Sequence, residues 1–260
     1  MVVAATAVAG PADDAFAAVW RDHRAYTNEH DKAIASLKEA MAKKNADGSP
    51  TLGRYLPVAQ TLKGWRWVMR RNAAEAQRAF TAALAATDRA QDPVAAAADA
   101  MAKRWLSRFD RERVAQALKA HYVANVAYPD TLAALEALPP EKRPPKTDRF
   151  GKPWAYAPGG MKRIMVSGNQ TYTLTSTELG DRSNINDDFA KAYPSPALEF
   201  RRTGQNAVEV RDADGASLGT LQEGIRINGY QLATVDEYGR FALVTDGDFW
   251  LTPLPAGGTR

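Results

Sequence analysis

Three histidines are the only imidazoles in the chain, and cysteine is absent. Acid–base and metal chemistry therefore has few places to start. His23 and His30 stand seven residues apart, beside Asp22, Glu29 and Asp31, so one helix face could present both. At the helical rise they lie about 10 Å apart, too far to share one metal ion without a third element. They read as surface helix residues. His121 adjoins Tyr122 near a helix end and reads as a packing group or a partner for the C-terminal dipole. The chain contains no Gly-x-Ser-x-Gly, no His-Glu-x-x-His, no phosphate-cradling glycine loop and no dinucleotide fingerprint. No catalytic residue is expected, and an enzyme would need a cleft converging on His23, His30 or His121.

Composition narrows the classes further. At 260 residues the chain can bury a sizeable core. Without cysteine, disulfides, thiolate metal sites and a thiol nucleophile are excluded. The net charge is only +4, and 22 of the 34 basic side chains fall in residues 1–147, interleaved with acids and alanines. That pattern suits a solvated helical surface better than a nucleic-acid site. No stretch reaches the apolar length of a membrane span. Ala7-Val8-Ala9 before Gly10 has the small-x-small form of a leader-peptidase site, so residues 1–13 read either as a leader remnant or as a disordered end.

Residues 14–109 carry helical periodicity, as in Phe16, Val19 and Trp20, then Ile34, Leu37 and Met41. Within 60–88, Gly64 precedes Trp67 by three, and Ala76, Phe80 and Ala83 follow at four and three. These spacings resemble a single tetratricopeptide unit, whose small residue lets two helices cross closely. Gln60 replaces the first aromatic, and no second copy is evident, so an ordinary helical hairpin is the preferred reading.

Residues 110–193 read differently. Asp110 is a plausible N-cap for a helix whose Val114, Leu118 and Tyr122 line one face. Tyr128-Pro129 stops that helix, and Asp130 or Thr131 can cap a short second one ending at Leu138. A Pro-rich connection leads to a turn at 150–154. "AYA" starts a strand, Gly159-Gly160 turns, and "RIMVS" and "TYTLTST" read as two more strands joined by "SGNQ".

The order of these pieces resembles the globular head of the major pseudopilin of bacterial type II secretion, a relative of type IV pilins. The carriers are His121-Tyr122, Tyr128-Pro129, Leu132, Leu135, Asp148, Gly151, Pro153, Trp154, Tyr156, Tyr172, Leu174 and Ser176, with Gly180-Asp181 after them. The resemblance implies a helix covered by an antiparallel sheet, with Trp154 and Tyr156 closing one end of the core. Pilin-type proteins begin with a highly apolar helix that anchors and polymerises them. Residues 14–109 are a soluble-looking helical region instead, which implies an adapted head and not an ordinary filament subunit.

In the resembled family a loop after the last head strand binds calcium. Here that position holds "ELGDRSNINDDF", and the resemblance implies Asp181, Asn184, Asp187 and Asp188 as ligands. Clustered hard oxygens suit calcium. Against it, the loop lacks glycine-rich spacing and carries Arg182.

Residues 194–260 alternate in short runs punctuated by Thr-Gly, Asp-Gly and Asn-Gly, as expected for a small antiparallel β domain. "DADG" at 212–215 resembles half a calcium loop but reads as a hairpin turn. The fold class expected is therefore α+β: a helical region, a pseudopilin-like helix-plus-sheet head, and a small β domain. The expected role is a non-enzymatic structural or interaction protein of type II secretion or a pilus-like assembly. Its partners would be proteins, not nucleic acid, on the periplasmic side of a bacterial envelope, with membrane association through a segment preceding residue 1. The alternative is a calcium- or glycan-binding envelope module.

Overall fold

The computed structural model describes residues 15–16, 18–19, 22, 29–42, 55–86, 93–160, 169–185, 199–204, 207–212, 214–222, 225–227, 230–235, 241–245 and 249–253. Residues 1–13 and the strand expected at "RIMVS" lie outside them. The fold is α+β, helices with small antiparallel sheets. The chain divides into two compact units, Met1–Ala102 with Lys191–Arg260, and Lys103–Ala190.

In the first unit, α1 (His30–Ala42), α2 (Tyr55–Met69) and α3 (Ala73–Ala86) form a helical layer. Their inward residues follow the helical period: His30, Ile34 and Leu37 on α1, and Ala76, Ala79, Phe80 and Ala83 on α3. Helices α1 and α2, the segment containing Phe16 and Val19, and Ala98 supply buried residues of one core, in which the Phe16 and Tyr55 rings stack at 4.7 Å.

Helices α2 and α3 form a hairpin. A Cβ on Gly64 would stand 2.7 Å from the Phe80 ring, so this crossing admits only glycine. The turn between them is encoded locally. Asn72 N–H donates to the Trp67 carbonyl at 2.9 Å and Arg71 N–H to that of Val68 at 2.8 Å. Arg71 takes the left-handed conformation this helix ending requires, with φ 55°. Asn72 then caps α3, its Oδ1 accepting the Glu75 N–H at 3.1 Å.

The strands of this unit form two antiparallel sheets. One is β3 (Glu199–Gly204), β4 (Ala207–Arg211) and β5 (Ser217–Leu221), with Val208, Val210 and Leu221 buried. The other runs in sequence order through β6 (Arg226–Ile227), β7 (Tyr230–Val235), β8 (Phe241–Thr245) and β9 (Phe249–Pro253). "DADG" is a hairpin turn between β4 and β5. Asp212 Oδ1 accepts the N–H groups of Asp214 and Ala216, and Gly215 has φ 80°.

The second unit is built on α4 (Pro93–Asn125), whose first ten residues belong to the first unit. One expectation fails here: Asp110 is not an N-cap, because the helix runs unbroken through it. No glycine or proline interrupts residues 94–125, and the buried Asp110 carboxylate pairs with Arg149 at 2.5 Å and Arg113 at 3.3 Å. The helix stops at Asn125. Short 3-10 turns follow at Leu132–Ala137 and Pro140–Lys142. Thr131 precedes the first of these without capping it through its side chain. β1 (Trp154–Gly160) and β2 (Asn169–Ser176) pair antiparallel, with Tyr156 opposite Leu174. Gly159-Gly160 does not turn but extends β1. At Gly159 a Cβ would meet Thr171 Oγ1 at 2.1 Å, so the missing side chain makes room for the partner strand.

Candidate functional site

Val114, Ala117 and Leu118, one stripe of α4, form a core with Leu135, Trp154 and Leu174. The Trp154 ring is buried here, and its Nε1–H donates to the Pro145 carbonyl at 2.9 Å, leaving the indole no unpaired polar atom. Tyr156 and Tyr172 pack against the same core, half-buried. The Tyr156 hydroxyl donates to the Pro129 carbonyl at 2.6 Å, holding the Tyr-Pro stop beside the sheet. Tyr122, Tyr128 and Tyr172 make successive ring contacts at 4.7 Å, and Tyr156 joins Tyr172 at 6.2 Å. Burial raises the pKa of both Tyr156 and Tyr172 above the ordinary phenol value.

Asp148 organises the other end of the sheet. Only 3% exposed, its Oδ1 accepts the N–H groups of Phe150 and Lys152 at 2.9 and 3.0 Å, and its Oδ2 accepts the Ser176 hydroxyl at 2.7 Å. Gly151, at φ 80°, supplies the left-handed residue this turn needs. Arg149 ties the turn to α4, through its N–H to Ser107 Oγ and its guanidinium to Asp110. Ser176 Oγ accepts the N–H groups of Glu178 and Leu179, while Ser176 N–H donates to Ser183 Oγ at 2.7 Å. The backbone entering the oxygen-rich loop is thereby fixed.

Of the expected calcium ligands, Asp181 lies on the 3-10 turn Gly180–Ser183 and Asn184 ends it, half-buried. The Asp181 side chain, Asp187 and Asp188 lie outside the described residues. Among the described residues no group of three His, Asp or Glu could hold a metal ion.

The histidines separate. His23 lies outside the described residues. His121 Nδ1 meets the Ala127 carbonyl at 3.1 Å, where α4 ends. His30 is buried, not on a surface: its Nδ1 meets Asp22 Oδ2 at 2.5 Å, and Arg66 Nη1 donates to the same oxygen at 2.6 Å. Arg66 was absent from the sequence-based candidates. The signal available was an arginine within the apolar run "GWRWVM". Burial lowers the His30 pKa; the Asp22 hydrogen bond and charge oppose this, and the Arg66 charge adds to it. A buried carboxylate bridging a histidine and an arginine can clamp helices together.

Among the described residues of the second unit, the exposed large apolar side chains stand at the end of α4. Val123 is 73% and Val126 67% exposed, and Val126 holds φ 57°, an unfavourable conformation for a β-branched residue. No family model, curated protein or solved structure matches the chain.

Proposed function

We propose that the chain is a non-enzymatic structural and interaction protein of a type II secretion or pilus-like assembly, with residues 110–193 serving as a pseudopilin-like head. The observation that supports this most is the seating of Trp154 in one core with Val114 and Leu118, against which the Tyr156 and Tyr172 rings also pack. Residues that carry the resemblance, Asp148, Gly151, Trp154, Tyr156 and Ser176, hold that core and its turn together. Val123 and Val126, apolar and exposed at the end of α4, offer a contact patch for a protein partner. Among the described residues no helix is long and apolar enough to cross a membrane, so the proposal places attachment outside them.

Affinity purification from native membranes tests the assembly role. Recovery of a partner bearing a pilin-type apolar N-terminal helix is the expected result, and its absence from stringently washed complexes contradicts it.

A calcium-binding module is the second reading, favoured by the Asp148–Ser176–Ser183 network that anchors the 177–185 loop. Asp181, Asn184, Asp187 and Asp188 would be its ligands. A ligand bound only by the native state raises stability. Calcium binding therefore predicts a calcium-dependent rise in melting temperature that Asp187→Ala/Asp188→Ala removes; equal melts with calcium and with chelator would contradict it.

A further inference from the structure

The turn between α2 and α3 collects positive charge. Residues 63–78 hold five basic side chains, Lys63, Arg66, Arg70, Arg71 and Arg78, against one acid, Glu75. Three of the five are matched by carboxylates: Lys63 by Asp31 at 2.5 Å, Arg66 by the buried Asp22 at 2.6 Å, and Arg78 by Glu75. Arg70 and Arg71 stand at the turn itself, both exposed.

Apolar surface accompanies them. Met69, the last residue of α2, is 40% exposed. Trp67 is half-buried, with the Arg70 guanidinium 5.3 Å over its ring. Ala73 and Ala74, which open α3, are exposed and small, so they put no bulky side chain between the turn and an approaching surface.

Arg71 carries a second, independent signal. Its φ of 55° is a conformation that glycine or asparagine fills at a helix end with less strain. An arginine held there points to a use for its side chain. Among the described residues Arg71 makes no ion pair, so that use lies outside the contacts of the described fold.

We propose that this turn is a peripheral contact site for anionic lipid headgroups. Arg70 and Arg71 take the headgroup phosphates, which a guanidinium fork matches in shape and charge. Trp67 and Met69 enter the boundary between headgroups and acyl chains, where amphipathic rings and apolar side chains settle. A nucleic acid would use the arginines and leave Met69 without a counterpart. Elsewhere the basic residues are interleaved with acids and form no stripe for a nucleic-acid backbone. The contact goes beyond the assembly role and stands whether or not residues 110–193 belong to a secretion assembly.

Co-sedimentation of the full chain with vesicles tests it, using phosphatidylcholine alone and phosphatidylcholine mixed equally with phosphatidylglycerol. Binding to the mixed vesicles, and not to phosphatidylcholine, is expected, and it should weaken as salt is added. An arginine near an anionic surface contributes about fivefold in partitioning. Arg71→Gly, which also relieves the backbone, should therefore bind about fivefold more weakly while melting no lower than wild type. Arg70→Ala/Arg71→Gly should lose about thirtyfold. Lys119→Ala, which removes an exposed cation of the second unit, should bind as wild type does. If the double variant loses its circular-dichroism signature, Arg71→Gly decides alone. Absent binding, equal binding to both vesicles, or wild-type partitioning of a folded Arg71→Gly overturns the proposal. So does tighter binding to a single-stranded oligonucleotide than to the mixed vesicles, which would mark the arginines as a nucleic-acid site.

Discussion

The Ser176 hydroxyl donates to Asp148 Oδ2 at 2.7 Å, joining the last residue of β2 to the turn that precedes β1. The same carboxylate organises that turn through two backbone N–H groups, and Ser176 Oγ accepts two more from the loop that follows. Two side chains thus fix both approaches to the sheet.

Asp148→Ala leaves those backbone donors and the Ser176 hydroxyl without their acceptor in a buried setting. It should destabilise the second unit by about 2–4 kcal/mol. Ser176→Ala should cost less, since Asp148 keeps its two turn contacts. Urea titration read by Trp fluorescence checks the order; equal stability of Asp148→Ala and wild type would refute the hub.

Gly64→Ala places a methyl group under 3 Å from the fully buried Phe80 ring, so one of the two must shift. Overpacking of this kind costs about 1–3 kcal/mol. The double variant Gly64→Ala/Phe80→Leu should recover part of the loss in thermal melts. An unchanged single variant would mean that the hairpin crosses less closely.

Arg71 and Val126 occupy left-handed backbone conformations that glycine adopts without strain. Arg71→Gly and Val126→Gly should each raise stability by about 0.5–1 kcal/mol, the strain relieved less the added chain entropy. Alanine at either position should give no such gain. Melting temperatures of the four variants check this.

His30 gives the first unit a pH dependence. Burial holds its pKa below the ordinary value of 6.5, so between that value and the folded one the unfolded chain binds more protons. The stability contributed by neutral His30 is fully present above the unfolded pKa and lost as the pH falls through the folded pKa. His30→Gln removes the titration, so the stability gap between wild type and variant should narrow from about pH 8 to about pH 5. A gap independent of pH would contradict this.

What the sequence revealed depended on how local each cause was. The Gly64–Phe80 crossing and the "DADG" turn follow from backbone needs that neighbouring residues state openly. The packing of Trp154 and Tyr156 on residues 114–118 follows from periodicity on one side and a Gly-Pro turn on the other. Asp110 misled because a residue well suited to capping also serves inside a helix when Arg149, 39 residues later, neutralises it. The Asp22–His30–Arg66 cluster was hidden for the same reason: Arg66 comes from another helix, 44 residues from Asp22. The Arg111–Leu174 hydrogen bond spans 63 residues and is invisible to any local pattern.

The assembly role is tested most directly by photo-crosslinking in native envelopes, with a photoreactive residue placed at Val123 or at Val126. An interaction head predicts a specific adduct from both positions to a pilin-like or secretion component, and none from exposed Lys119. Adducts that are absent, or that form equally from all three positions, would contradict it.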